Sequence, residues 1–201
     1  KTGEDNPYAK REQSTRYRLT HKHRTDFDDY TNIIFQYHKF SDEFFLQDFF
    51  ESEFRGEIQP RTFGVFTRNT ERSGLFVNTD YQTNDFFDTT EELPQIRYDW
   101  NNQRVGRSQL FYRNQTGLAN FRQKFALDDD TNESWRFDTL HNFYLPKKIR
   151  SVQVLPELGF RETYYSETPE EGREEGRAQN RFNVNAGIDF KTQTSKIYDW
   201  N

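Results

Sequence analysis

The chain has 201 residues, a formal net charge of −5 and a pI of about 5.5; 30% of residues are charged and 32% hydrophobic. Acidic and basic side chains are interspersed, which gives no basic surface for nucleic acid. The lack of cysteine excludes disulfides and thiolate metal sites, and no apolar run approaches the ~18 residues of a membrane-spanning helix. A mean hydropathy of −1.15 would suit disorder. Against it stand 21 Phe, 11 Tyr and 3 Trp, which supply the burial that disordered chains lack. Such a chain needs a fold that separates polar from apolar residue by residue, as a strand does.

In chain order, a first strand begins at Tyr17, Leu19 and His21, and a second sets Ile33, Phe35 and Tyr37 against Asn32, Ile34 and Gln36. Residues from Thr62 to Asn69 read as a strand of poorer pattern. Leu75, Val77, Thr79 and Tyr81 then oppose Gly74, Phe76, Asn78 and Asp80. Ile96, Tyr98 and Trp100 oppose Arg97 and Asp99, and Ser108 to Phe125 again reads as strand. Trp135, Phe137, Thr139, His141 and Phe143 alternate with Arg136, Asp138, Leu140 and Asn142. Val152, Val154, Pro156, Leu158 and Phe160 alternate with Gln153, Leu155, Glu157, Gly159 and Arg161; Pro156 there predicts an edge or a bulge. The clearest strand sets Phe182, Val184, Ala186, Ile188 and Phe190 against Arg181, Asn183, Asn185, Gly187, Asp189 and Lys191. The expected fold is all-β: an antiparallel up-and-down meander of about nine strands.

The connections alternate in length. Ser41 to Pro60, Thr83 to Leu93 and Glu167 to Ala178 are long; Thr70 to Ser73 and Pro146 to Arg150 are short; Asn101 to Arg107 is shorter than the long ones and Leu127 to Glu133 is of middle length. Successive connections of a meander fall at opposite ends of the sheet. Long loops at one end and short turns at the other is the asymmetry of outer-membrane barrels, and by that rule the long-loop end is expected to face outward and the short-turn end the periplasm. The acidic stretch 167–178 reads as a mobile loop and 1–15 as irregular, within one partial barrel domain over 1–201. The polar N-terminus holds no signal-peptide core, and the chain, which contains no Met, is expected to be a segment of a longer protein.

Alternation alone fits a soluble sandwich as well as a barrel wall. Two features favour the barrel: full charges deep in the strands, and aromatics near strand ends (Trp100, Tyr112, Trp135, Tyr164, Tyr165, Tyr198 and Trp200), as in interfacial girdles. In that reading Val152, Val154, Leu158, Phe160, Phe182, Val184, Ala186, Ile188 and Phe190 face lipid. Arg136, Asp138, Arg161, Asn183, Asn185, Asp189 and Lys191 face a wet lumen.

Several stretches resemble the barrel of the LPS-assembly LptD family. They are Ser41 to Phe49 (SDEFFLQDF), Leu93 to Trp100 (LPQIRYDW), Arg136 to Pro146 (RFDTLHNFYLP), Val154 to Tyr165 (VLPELGFRETYY) and Gly187 to Asp199 (GIDFKTQTSKIYD). Each is weak alone; their order and spacing over residues 17–200 carries the resemblance. It implies part of the C-terminal β-barrel of an outer-membrane lipopolysaccharide transporter that inserts lipopolysaccharide into the outer leaflet. An LptE-like lipoprotein plug and periplasmic Lpt bridge components are the implied partners, alongside outer-membrane lipids. The family's jellyroll is absent here, and its lateral gate matches no residue of this segment. The alternatives are another outer-membrane barrel, a porin or receptor, or a soluble extracellular β-sheet binding protein.

Other candidates are thin. His21 and His23 share a strand face as metal ligands do, without an identifiable third ligand, and two polar lumen or surface residues is the plainer account. Asp128, Asp130 and Asn132 open like an EF-hand loop, but Glu133 and Thr139 stand where its Gly and Glu belong. A loose divalent-cation contact and a solvated acidic loop remain. No G-x-S-x-G, H-E-x-x-H or Walker A motif occurs; neither catalysis nor a cofactor is expected.

Overall fold

The computed structural model describes residues 15–126, 131–166 and 177–192. Ten strands form one sheet: β1 (Arg18–Asp28), β2 (Thr31–Phe40), β3 (Thr62–Asn69), β4 (Ser73–Tyr81), β5 (Thr89–Arg104), β6 (Phe111–Lys124), β7 (Thr131–Tyr144), β8 (Lys147–Ile149), β9 (Val152–Tyr165) and β10 (Gln179–Thr192). Their order is β1-β2-β3-β4-β5-β6-β7-β9-β10, every pair is antiparallel, and β8 pairs with β9. The meander is therefore as the alternation predicts, with β8 continuing the line of β7. The sheet is open: β1 and β10 each have one strand neighbour.

Pro156 lies inside β9 between two neighbours, yet the ladder tolerates it. Its carbonyl accepts Leu145 N at 3.1 Å, in the gap that separates β7 from β8. A strand residue presents both backbone groups to the same neighbour, so the missing N–H of Pro156 falls where the partner strand is interrupted. Pro94 sits in a comparable break, where the pairing of β5 with β6 slips between Glu92 and Gln95.

The sequence underestimates β5, which runs well beyond Ile96–Trp100 at both ends. The connection expected over Thr83–Leu93 shrinks to residues 82–88, and the β5–β6 connection becomes 105–110, the same length as the β6–β7 connection at 125–130. The alternation in loop length thus holds at β2–β3, β4–β5 and β9–β10 but not across β6.

The β2–β3 connection holds two short helices, α1 (Phe45–Phe49) and α2 (Glu51–Gly56), that alternation does not reveal. With the β4–β5 loop they supply the main buried apolar cluster: Phe40, Phe45, Leu46 and Phe86, flanked by Phe54 and Phe87. Little else apolar is buried, although eleven polar or charged residues are. Of 21 Phe, only Phe40, Phe45 and Phe86 are buried.

Candidate functional site: two faces and a rim

Antiparallel partners in direct register project from the same face, so the pairings carry the alternation of each strand across the sheet. One face gathers Ile33 and Phe35 of β2, Phe66 of β3, and Leu75 and Val77 of β4. It continues through Ile96, Tyr98 and Trp100 of β5, Leu118 of β6, and Trp135, Phe137 and Phe143 of β7. On β9 and β10 it pairs Phe160 with Val184, Leu158 with Ala186, Pro156 with Ile188 and Val154 with Phe190. Val152 and Phe182 lie in the same two rows. The nine residues expected on one side thus share a face. Phe182, Val184, Ile188 and Phe190 are each more than half exposed.

The second face collects the charges. Arg161 pairs with Asn183 and Leu140, Asp138 with Thr163, and Arg136 with Tyr165. Asn185 lies opposite Gly159, Asp189 opposite Leu155 and Lys191 opposite Gln153. The seven residues expected on this side also share a face. Arg161 grips Asp138 with Nε at 2.8 Å and Nη2 at 2.7 Å, and Thr163 Oγ1 donates to the same carboxylate at 2.5 Å. Arg136 lies over the Phe121 ring, 4.9 Å from its centroid, and Arg97 over Phe76 at 5.1 Å. Ion pairs and cation–aromatic contacts alternate here.

The apolar face has polar exceptions. His21 and His23 stack with centroids 6.2 Å apart, and His23 Nε2 lies 2.7 Å from Thr25 Oγ1. Among the described residues no group of three or more His, Cys, Asp or Glu is placed to hold a metal ion. Across β6 and β7, Tyr112, Asn114, Thr116, Thr139 and His141 satisfy one another, with Tyr112 Oη 2.7 Å from His141 Nδ1 and Thr116 Oγ1 3.0 Å from Thr139 Oγ1. Other charges on this face lie toward the strand ends: Arg68 and Lys147 at the short-turn end, and Lys39, Glu91, Arg122, Lys124, Glu133 and Glu162 toward the long-loop end. Glu91 is fully buried there, accepts Gln82 N at 2.9 Å, and lies 3.3 Å from Lys124 Nζ. Of the end aromatics, Trp135 and Tyr164 sit on the apolar face toward the long-loop end and Trp100 and Tyr112 toward the short-turn end; Tyr165 points to the charged face. Tyr198, Trp200, Asp128, Asp130, stretch 1–14 and most of the acidic loop lie outside the described residues.

The long-loop rim is the feature that alternation misses. Arg16 donates Nε and Nη2 to the two oxygens of Asp42 at 2.9 and 2.6 Å, and Nη1 to Asp48 at 2.8 Å. Its guanidinium covers the Phe49 ring at 4.9 Å. Arg18 pairs with Glu53 at 2.7 Å and covers Phe50. These bonds hold the Arg16 guanidinium above its ordinary pKa, chiefly through Asp42, and the Glu53 carboxyl below its own, chiefly through Arg18. Since Arg18 pairs with Phe40 on the charged face, both helices fold over that face. Beside them β2 overshoots the shorter β3, and the β4–β5 loop covers its end: Phe40 N donates to Asn84 Oδ1 at 2.9 Å, and Asn84 Nδ2 donates to His38 O at 3.3 Å.

An open antiparallel sheet with one apolar, exposed face and one charged face, joined at one end by longer loops, is the wall of a barrel rather than a soluble core. The sequence model of the LptD family, described as LPS transport system D, matches residues 14–199, and the chain belongs to that family. It is therefore part of a lipopolysaccharide transport system and not an enzyme. No curated protein matches the chain.

Proposed function

We propose that residues 1–201 are one partial β-barrel domain in the outer membrane, part of the wall of a barrel that inserts lipopolysaccharide into the outer leaflet. Val152, Val154, Leu158, Phe160, Phe182, Val184, Ala186, Ile188 and Phe190 meet lipid. Arg136, Asp138, Arg161, Asn183, Asn185, Asp189 and Lys191 line the lumen, where an LptE-like lipoprotein plug and the polar glycan of the cargo are accommodated. The Lpt bridge components meet the periplasmic, short-turn end.

One observation carries this reading: an aromatic face spanning the sheet is left uncovered. Phe182 and Phe190 are 66% and 71% exposed, and burying a Phe is worth roughly 1.5–3 kcal/mol. Water on such a face is a heavy cost; hydrocarbon removes it. The apolar stretch also has the right height. Phe182 to Phe190 spans roughly 26 Å along the strand, and a tilt of about 40° leaves roughly 20 Å against an apolar band of about 25 Å.

Because the chain has no cysteine, single cysteines can map the two faces of the protein, any native cysteine elsewhere being removed. Water-soluble maleimide should label Asn183→Cys, Asn185→Cys and Asp189→Cys in membranes. It should spare Val184→Cys, Ala186→Cys and Ile188→Cys until detergent is added. Equal labelling of both series in membranes would overturn the facing.

A further inference from the structure

We propose that the apolar face carries a groove along β3 for one acyl lipid with a net-anionic phosphate headgroup, whose chain lies beside Gly64 and whose phosphate meets Lys39. The inference rests on the reading that this face meets lipid.

Side-chain size makes the groove. On this face β3 presents Thr62, Gly64 and Phe66; Thr62 pairs with Tyr81, Gly64 with Phe35 and Thr79, and Phe66 with Ile33 and Val77. The strand is therefore low between aromatic walls on β2 and β4, and rises again at Phe66. The hollow measures about 540 Å³, with Phe35 and Tyr37 on one side and Tyr81 on the other. Its floor is fixed: a Cβ on Gly64 would stand 3.2 Å from Thr79 Oγ1. From Phe35 to Lys39 the groove follows β2 for roughly 13 Å, a length suited to an extended alkyl chain rather than to a compact ligand.

The long-loop end of the groove is polar. Lys39 lines it there and donates from Nζ to the Thr83 carbonyl. Among the described residues Lys39 has no ion-pair partner, so its charge is available to an anion. A lysine meets phosphate as a point charge at the end of a flexible stem. Tyr37 and Tyr81 place amphipathic rings at the same end, where interfacial aromatics belong. Asp85 stands on the same rim and is exposed; it weakens the field of Lys39 without pairing with it. Apolar hollow below, cation at the polar end: the match is to a lipid with an anionic phosphate headgroup.

The test uses the intact protein in phosphatidylcholine vesicles doped with a trace of phosphatidic acid, or of phosphatidylcholine, bearing a mid-chain diazirine. After photolysis, cross-linked peptides are mapped. Phosphatidic acid should label β2 and β4 about fivefold more than the phosphatidylcholine probe, the factor that one ammonium supplies at an anionic surface. Lys39→Gln should erase that preference, Asp85→Asn should enlarge it, and Gly64→Leu should remove labelling by filling the hollow. Should Gly64→Leu fail to fold, the other two variants decide. Equal yields from the two probes, or labelling of β2 and β4 no greater than that of β10, would overturn the groove while the facing stands. Labelling confined to Asn183, Asn185 and Asp189 would overturn the facing itself, and the groove with it.

Discussion

A charge scanned along β10 tests the two-faced wall most directly. Its five apolar residues run from Phe182 to Phe190, so Ala186 marks the centre of the band and Ile188 lies one pair nearer the short-turn end. That step is roughly 7 Å along the strand, or about 5 Å of depth at a tilt of ~40°. Arginine at mid-bilayer on a lipid-facing position costs about 2–4 kcal/mol, falling to about 0–1 near the interfaces. Ala186→Arg should therefore cost about 3 kcal/mol, Ile188→Arg about 2, and Phe182→Arg and Phe190→Arg about 1 beyond the loss of the ring itself. On the other face Asn185→Lys has Glu157 one pair away to receive its charge, and should cost less than about 0.5 kcal/mol. Reversible denaturant unfolding into phospholipid vesicles measures these differences; 3 kcal/mol is roughly a 150-fold change in the folding equilibrium. A profile flat with depth, or equal costs at Ile188 and Asn185, would refute the assignment.

Three further outcomes follow from the contacts described. Arg16→Ala leaves the fully buried Asp42 carboxylate, among the described residues, with only Ser41 Oγ and Phe44 N as donors. It should cost about 3 kcal/mol and speed proteolysis within residues 41–60; an unchanged cleavage rate would show that Arg16 does not hold the helices. The lowered Glu53 pKa means that the Arg18 contact stabilises α2 fully above the ordinary glutamate value of 4.5, and that this contribution is lost as pH falls through the depressed folded value. Hydrogen exchange in α2, corrected for its intrinsic pH dependence, should lose protection below pH 4.5 and not above it; equal protection on both sides of that value would contradict the link. Gly159→Ala forces the Asn142 and Asn185 side chains aside, since their amide oxygens close over the glycine; a loss of about 1–2 kcal/mol, reduced in the double variant with Asn185→Ala, is the expected thermal-unfolding result.

The strands legible in the sequence are those whose two faces differ most. β10 alternates without a break, so both its rows could be read directly and its limits to within two residues. The long-loop half of β5 could not: Glu91, Glu92 and Pro94 break the alternation, and what holds Glu91 there is a bond to Gln82 N and the nearness of Lys124, a partner on another strand. The helices α1 and α2 escaped for a similar reason. Five and six residues are too short to show a helical period, and their anchors, Arg16 and Arg18, lie on the far side of a hairpin. The family resemblance was legible because it rests on order and spacing across the chain. The groove at Gly64 was not, because it depends on register between three strands.

The strands differ greatly in length. β3 has 8 residues and β5 has 16, roughly 26 and 53 Å of extended chain. With β6 and β7 at 14 residues each, the wall is low at β3 and tall from β5 to β7; Asn69 of β3 is level with Asp99 of β5 and Phe63 with Glu92, so the excess lies mostly at the short-turn end. A partner docking at that end would meet a stiff, hydrogen-bonded sheet from β5 to β7 in place of a pliable turn. Such a contact surface is defined by residues adjacent across strands and not along the chain, so linear peptides from this region would not reproduce it.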